Sequence, residues 1–143
     1  MKTTLAERFW EKVDKGGPLF NETPCWVWTA CTRKDGYGSI LVDRIARLAH
    51  RVGYELTHGT IEKGLTLDHL CRNRACVNPA HLEPVEFKEN VLRGESFAAT
   101  NSRKTTCPKG HALAGDNLYQ YSYARICRTC KLEQSKRYYN KGK

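Results

Sequence analysis

Apolar residues near the start of the chain recur at every fourth position. Leu5, Phe9 and Val13 follow this spacing, which predicts one apolar face of a helix of about three turns. Thr4 followed by Glu7 has the pattern of a capping box, which predicts where the helix begins. A Gly-Gly-Pro run then predicts its end, because neither residue type continues a helix well.

Short β-prone runs alternate with turn signals through the rest of the first two thirds of the chain. Strands are predicted at 25–30, Ser39–Val42, Ile45–Ala49, Leu65–His69 and Leu82–Phe87. Helices are predicted at His50–Thr57 and Lys88–Arg93. This mixture of elements indicates an α+β fold. Residues 96–106 are polar and predict a linker, so we expect a domain at 1–95 and a small module at 107–143.

Composition limits the class of protein further. Hydrophobic residues make up 40% of the 143, which is typical of a globular chain, and no run approaches the length of a membrane span. The N-terminus lacks the apolar region of a signal peptide, so we expect a cytoplasmic protein without a membrane partner. Seven cysteines in such a chain indicate metal ligands rather than disulfides.

The positive charge is concentrated near the C-terminus. The chain has a formal charge of +9, and residues 98–143 carry ten basic and two acidic side chains. A basic segment of this kind favours a polyanionic partner, most often a nucleic acid. The alternative is a solvated tail that aids solubility.

Two cysteine-containing pairs lie within that basic segment. Cys107 and His111 form one short-spaced pair, and Cys127 and Cys130 form the other. Two such pairs supply the four tetrahedral ligands of a structural zinc site. Since so small a module buries little apolar surface, we expect zinc to contribute most of its folding free energy.

A second group of candidate zinc ligands lies in the centre of the chain. Cys71, Cys76 and His81 supply three ligands at regular spacing. The fourth must come from elsewhere, and Cys25 is the preferred candidate because it begins a predicted core strand. Cys31 is the alternative.

A different chemistry is interleaved with these cysteines. His69 is a residue type that accepts a proton near neutral pH. Asp68 and Asn90 offer the oxygen ligands that a hard divalent cation such as Mg²⁺ prefers. The predicted strand, loop, strand and helix would bring Asn90 back beside Asp68.

At these residues the sequence resembles the HNH, or ββα-metal, endonuclease superfamily. It is most similar to His-Cys box homing endonucleases and to phage-encoded HNH endonucleases. The family's order of histidine, two cysteines, histidine and asparagine is met by His69, Cys71, Cys76, His81 and Asn90. A weaker similarity extends upstream, so that about residues 8–94 are covered. The C-terminal cluster has a spacing different from the second zinc site of His-Cys box enzymes.

The resemblance implies a fold and a mechanism. The expected fold is a ββα-metal core stabilised by structural zinc, followed by a zinc-ribbon-like module, with two structural zinc ions per chain. His69 would activate the attacking water, and one catalytic cation, Mg²⁺ or Mn²⁺, would be held by Asp68 and Asn90. Arg51, or alternatively Arg47, would contact the scissile phosphate. The products of similar enzymes carry 5′-phosphate and 3′-hydroxyl ends.

The expected activity is therefore metal-dependent cleavage of double-stranded DNA, of a site-specific homing type, in a bacterial or phage-infected cell. A homodimer would be needed for a double-strand break, since a monomer with one active centre would nick. The alternatives are a non-catalytic zinc-dependent DNA-binding regulator and an RNA-binding zinc-ribbon protein. The candidate DNA contacts are Arg44, Arg47, Arg72, Arg74, Arg125, Arg128 and Lys131.

Overall fold

The computed structural model describes residues 3–121 and 124–141. The chain forms a mixed α/β structure that divides into two compact units, one up to Asn90 and one from Val91 onward. Among the described residues, no helix combines the length and the apolar character needed to cross a bilayer.

In the part of the chain that the structure describes, the first unit contains three α-helices and eight strands. Its helices are α1 (Leu5–Trp10), α2 (Ala49–His58) and most of α3 (Phe87–Arg93). Its strands are β1 (Val13–Asp14), β2 (Leu19–Phe20), β3 (Thr23–Pro24), β4 (Val27–Trp28), β5 (Ser39–Val42), β6 (Ile45–Leu48), β7 (Leu65–His69) and β8 (Leu82–Glu86).

The first helix begins as predicted and ends earlier. The capping box is present, with the Thr4 hydroxyl accepting from the Glu7 backbone and the Glu7 carboxylate accepting in return. The helix ends at Trp10 because Val13 belongs to β1, where it pairs antiparallel with Trp28. The strand predicted at 25–30 is likewise shorter, since only Val27–Trp28 has strand geometry.

The main core of this unit lies between α1, the strands that follow it and α2. Its buried members are Phe9, Trp28, Ile40, Ala49, Val52 and Val77. Gly38 permits a close approach, because a Cβ atom there would lie 2.6 Å from the Trp28 ring. The packing therefore fixes the start of β5, and with it the preceding loop, against the core.

Strands β5 and β6 form a separate antiparallel ribbon joined by Asp43 and Arg44. Both turn residues have positive φ, 51° and 67°, as a type I′ hairpin turn requires. The ribbon leads directly into α2, which begins one residue earlier than predicted, at Ala49. The Ala49 N–H donates to the carbonyl of Gly38 at 2.8 Å, which holds the helix start against the ribbon.

Strands β7 and β8 form the hairpin that carries most of the candidate chemistry. They pair antiparallel over their full length, from Leu65 opposite Glu86 to His69 opposite Leu82. Helix α3 follows β8 without a break, one residue earlier than predicted. The hairpin and helix therefore have the order strand, loop, strand, helix that the sequence predicts.

The second unit contains α4 (Phe97–Arg103), β9 (Leu118–Gln120), β10 (Arg125–Cys127) and α5 (Arg128–Lys141). The segment 96–106, which was predicted as a linker, contains the helix α4. Ser96 caps α4 by accepting from the Ala99 N–H, and the buried side chain of Ala99 packs the helix inward. The division into domains at 1–95 and 107–143 stays a prediction.

Candidate functional site

His69 stands at the end of β7 with its imidazole buried. Its Nε2 lies 3.0 Å from the carbonyl oxygen of Cys76. A carbonyl oxygen only accepts, so Nε2 carries the proton and Nδ1 carries the lone pair. Burial lowers the pKa of His69, which keeps the imidazole neutral at neutral pH. The site therefore offers a neutral histidine with one basic nitrogen.

Asp68 and Asn90 lie on the same face of β7. Side chains alternate along a strand, so Thr66 and Asp68 share one face. The Asn90 Nδ2 donates to the Thr66 hydroxyl at 3.2 Å, which places Asn90 over that face and leaves its amide oxygen for another partner. Asp68 is 2% exposed. Two oxygen-bearing side chains, Asp68 of β7 and Asn90 of α3, thus lie over the same face of that strand.

Two further side chains of this site were not predicted from the sequence. The ring centroid of His50 lies 4.7 Å from that of His69, and that of Tyr37 lies 5.7 Å from His69. Burial lowers the pKa of His50 to about 3. The weak upstream similarity to the family covers both residues but gives neither a role, and the packing of the loop and of α2 brings them to β7.

The first cysteine cluster joins residues from distant parts of the first unit. The ligand atoms of Cys25, Cys71, Cys76 and His81 all lie within 4.8 Å of one another. The Sγ atoms of Cys25 and Cys76 are each 3.6 Å from His81 Nδ1. A zinc ion with its usual bond lengths has ligand atoms roughly 3.5–3.8 Å apart, so the group fits a tetrahedral ion. Cys31 is exposed and lies outside this cluster.

Hydrogen bonds around His81 prepare its Nδ1 for such a role. The Thr23 hydroxyl donates to the Phe20 carbonyl at 2.9 Å and lies 2.7 Å from His81 Nε2. Because the hydroxyl proton is already committed, Nε2 must donate to Thr23 and Nδ1 keeps its lone pair. Outer hydrogen bonds of this kind fix the tautomer of metal-binding histidines.

The second cluster lies wholly in the second unit. It contains Cys107, His111, Cys127 and Cys130, whose ligand atoms are also within 4.8 Å of one another. Cys107 Sγ is 3.6 Å from both His111 Nδ1 and Cys130 Sγ. A hydrogen bond from the Cys130 backbone N–H is the main cause that lowers the pKa of Cys127. The lower pKa favours the thiolate, which is the form that binds metal. This group also fits a tetrahedral ion.

The three arginines of the ribbon and α2 that were predicted to contact DNA differ in their exposure and in their partners within the chain. Arg47 is committed to Glu55, with its Nη2 2.9 and 2.7 Å from the two carboxylate oxygens. Arg44 is exposed at the turn between β5 and β6, and Arg51 is half-buried next to His50. Arg51 is therefore less exposed than Arg44, and its positive charge acts on His50.

The two arginines after β7 also make contacts within the unit. Arg72 Nη1 lies 2.7 Å from the carboxylate of Asp68. Arg74 donates to the Asp35 carbonyl at 2.9 Å, and its guanidinium lies over the ring of Tyr37. Arg74 thus ties the loop before β5 to the loop after β7.

In the second unit, the structure gives Arg125 a structural position. Its Nη1 donates to the carbonyls of Asn101, Ser102 and Lys104, each at 2.9 Å, and so stabilises the C-terminal end of α4. The cationic groups of Arg128 and Lys131 lie over the ring of Tyr119. A DNA contact by any of these residues stays a prediction.

Comparison with known proteins confirms the resemblance to HNH endonucleases. Residues 47–92, about a third of the chain, match the family model described as HNH endonuclease. The matched segment contains α2, the β7–β8 hairpin and the start of α3, and therefore includes His50, Asp68, His69 and Asn90. No solved structure matches the chain significantly.

Three phage proteins are similar to part of the chain. "Protein 2.8" of Escherichia phage T7 is 35% identical over 68 residues, which are 46% of this chain and 45% of that protein. "Protein 7.7" of the same phage is 35% identical over 66 residues, 46% of this chain and 51% of that protein. "Uncharacterized gene 5.3 protein" of Enterobacteria phage T3 is 34% identical over 44 residues, 31% of this chain and 44% of that protein. The chain thus spans about half the length of the curated relatives it matches.

Proposed function

We propose that the HNH segment of this chain is the core of a working, metal-dependent endonuclease that hydrolyses phosphodiester bonds of double-stranded DNA. The observation that carries this proposal is the imidazole of His69, which is neutral, buried and fixed through Nε2 to the Cys76 carbonyl. A histidine held in this way, next in sequence to the proposed metal ligand Asp68, suits catalysis better than DNA binding alone. We further propose that β7, β8 and α3 form the ββα-metal core.

His69 acts as the general base in this proposal. Its Nδ1 removes a proton from a water molecule, and that water attacks the phosphorus in line with the leaving 3′ oxygen. The Cys76 carbonyl keeps the ring oriented and stabilises the imidazolium that forms, because it continues to accept from Nε2. The attack leaves 5′-phosphate and 3′-hydroxyl ends.

Asp68 and Asn90 would hold the catalytic Mg²⁺ or Mn²⁺. A buried carboxylate and an amide whose nitrogen is already committed to Thr66 are oxygen donors suited to a hard cation. When bound there, the cation would stabilise negative charge on the phosphate and on the leaving oxygen. Until then, Arg72 balances the charge of Asp68.

Both cysteine clusters would hold structural zinc, giving two ions per chain. Cys25, Cys71, Cys76 and His81 would stabilise the first unit, and Cys107, His111, Cys127 and Cys130 would stabilise a zinc-ribbon-like module in the second. Closed sets of four cysteine and histidine ligands leave no position for a reacting water, which favours a structural role.

DNA contacts are proposed for both units. The β5–β6 ribbon, with Arg44 at its exposed tip, has the width of a two-stranded ribbon that lies in a DNA groove. Arg51 is proposed to reach the scissile phosphate, and the basic second unit to contact the phosphate backbone. We propose a site-specific, homing-type enzyme of a phage-infected cytoplasm, acting as a dimer where both strands are cut.

Cleavage of plasmid DNA tests the proposal. Zinc-loaded protein is incubated with supercoiled plasmid with and without Mg²⁺ or Mn²⁺, beside His69→Ala and the matched control His58→Ala, which changes an exposed histidine of α2. We expect cation-dependent cleavage that falls about 10²- to 10⁴-fold in His69→Ala, the usual contribution of a general base. His58→Ala should cleave like the wild type.

A second substrate is needed because a rare recognition sequence can be absent from the plasmid. Selection from a random-sequence DNA library identifies what the protein binds or cuts. Binding of duplex without cleavage in either cation would contradict the nuclease and favour the zinc-dependent regulator. Preference for RNA over duplex in direct competition would favour the RNA-binding protein instead.

A further inference from the structure

His50 is the side chain in the closest ring contact with the proposed base. Its ring meets that of His69 edge-on, with centroids 4.7 Å apart. The ring of Tyr37 lies 5.3 Å from His50 and 5.7 Å from His69. The three rings form one cluster, which we call the His50–Tyr37–His69 cluster.

A buried nitrogen of His50 has no partner. The residue is 5% exposed, and among the described residues no group lies within hydrogen-bonding distance and direction of its Nδ1. An unpaired polar atom in a protein interior costs free energy, and nearly all such atoms are paired in folded proteins. A phenylalanine would fill the same space without that cost. Packing alone therefore does not account for a histidine at this position.

The ring is held firmly where it stands. His50 lies in the first turn of α2, whose start is fixed by the hydrogen bond from the Ala49 N–H to the Gly38 carbonyl. Tyr37 covers it from a tight turn closed by the Arg33 N–H and the Tyr37 carbonyl, 2.8 Å apart. Arg74 fastens the same turn through the Asp35 carbonyl. The backbone on both sides of the His50 ring is thus fixed by hydrogen bonds.

His50 carries no charge at neutral pH but can still donate a hydrogen bond to an anionic oxygen. Burial lowers the pKa of His50 to about 3, and the positive charge of Arg51, with that of His69 when His69 is protonated, acts in the same direction. The imidazole is therefore neutral at neutral pH. A neutral imidazole can still donate one hydrogen bond, and an oxygen that gains negative charge during a reaction is the strongest acceptor for it.

We propose that His50 is a substrate-contacting residue of the nuclease, whose Nδ1 donates a hydrogen bond to an oxygen of the phosphodiester held against His69. This inference rests on the proposed function and adds to it a residue outside the predicted catalytic set. Nδ1 is buried in the free chain, so the phosphodiester reaches it only when the Tyr37 ring that packs against His50 moves aside.

Three variants of the full-length, zinc-loaded chain test the contact. His50→Phe keeps a ring of similar size and removes both nitrogens. His50→Asn places an amide close to the position of Nδ1. His58→Phe makes the same change at an exposed histidine of the same helix. Each is assayed on supercoiled plasmid and on bis(p-nitrophenyl) phosphate, which needs no recognition sequence, and its zinc content and Tm are measured.

We expect His50→Phe to lower kcat about 10²-fold with little change in KM, the usual effect of removing one donor to a developing charge. Its Tm should equal or exceed that of the wild type, because a buried unpaired nitrogen has been removed. Its zinc content should equal that of the wild type. His50→Asn should recover part of the lost rate, and His58→Phe should cleave normally.

Two results would overturn the inference. His50→Phe could cleave at the wild-type rate, or His50→Phe and His50→Asn could lose activity equally together with Tm, which would indicate a structural role. A wild-type protein inactive on both substrates would instead contradict the proposed function itself, so the two failures are distinguishable.

Discussion

At the scale of single residues, Thr23 is expected to set the zinc affinity of the first cluster. Its hydroxyl accepts from His81 Nε2 and so leaves Nδ1 as the metal-binding nitrogen. Thr23→Val removes this partner without changing side-chain volume much. We expect zinc affinity at the first cluster to fall about 10- to 100-fold, as when other outer hydrogen bonds of metal sites are removed. Competition with a chromophoric chelator measures it.

Thr29→Val is the matched control for that change. The Thr29 hydroxyl donates to the Lys12 carbonyl, outside both cysteine clusters, so its loss should leave zinc affinity unchanged. The second cluster provides an internal reference, since Thr23 belongs to the first unit. Equal zinc affinity in Thr23→Val and in the wild type would mean that the histidine tautomer is fixed by the metal alone.

Residue chemistry was predictable where it depends on spacing and not where it depends on packing. His69, Asp68 and Asn90 were predicted as a group, because residue type and order along the chain are visible in the sequence. Thr23 and His50 were not, since each is placed there by a contact between elements far apart in sequence. The choice of Cys25 over Cys31 rested on a predicted core strand, and Cys25 is the one that lies in the cluster.

At the scale of elements, the β5–β6 turn contains a non-glycine residue in a backbone conformation that glycine adopts more easily. Arg44 has φ 67°, a conformation that favours glycine. Arg44→Gly creates the Asp-Gly pair preferred in type I′ turns, so the free energy of unfolding should rise by about 1 kcal/mol. If the ribbon contacts DNA, duplex affinity should fall, and the salt dependence should weaken by about one phosphate contact.

Asp43→Gly separates the two effects of that change. It relaxes the neighbouring backbone position, which has φ 51°, and keeps the cation at position 44. Its duplex affinity should therefore not fall. Denaturant unfolding and binding titrations at several salt concentrations measure both quantities. An unchanged affinity in Arg44→Gly would remove the ribbon tip from the DNA interface.

The elements themselves were predicted best where local pattern and tertiary pairing agree. The β7–β8 hairpin has the predicted start at Leu65 and end at His69, because β-prone residues there also find a partner strand over their full length. The N-terminal helix is shorter than its periodicity predicts, because Val13 pairs with Trp28 instead. Helix α4 was missed because its sequence is polar, and its stability comes from the Ser96 cap and from Arg125.

At the scale of the whole molecule, charge and metal chemistry are distributed unequally between the two units. Residues from Val91 onward carry eleven basic and three acidic side chains, so nearly the whole excess of +9 belongs to the second unit. The proposed catalytic residues belong to the first unit, and each unit has its own cysteine cluster. Catalysis and nonspecific DNA affinity should therefore respond to different cysteines.

Cys127→Ser tests that separation, with Cys31→Ser, at an exposed cysteine outside both clusters, as the control. The variant should bind one zinc instead of two and lose helical circular dichroism from the second unit, because a metal-dependent module unfolds without its ion. Duplex affinity should fall, and its salt dependence between about 50 and 200 mM should weaken, because fewer phosphates are contacted. The cleavage rate at saturating DNA should stay at the wild-type value, since His69, Asp68 and Asn90 are untouched. Cys71→Ser should instead unfold the first unit and abolish cleavage. A Cys127→Ser protein that binds DNA normally but no longer cleaves would reverse the assignment, because it would place part of the catalytic machinery in the second unit.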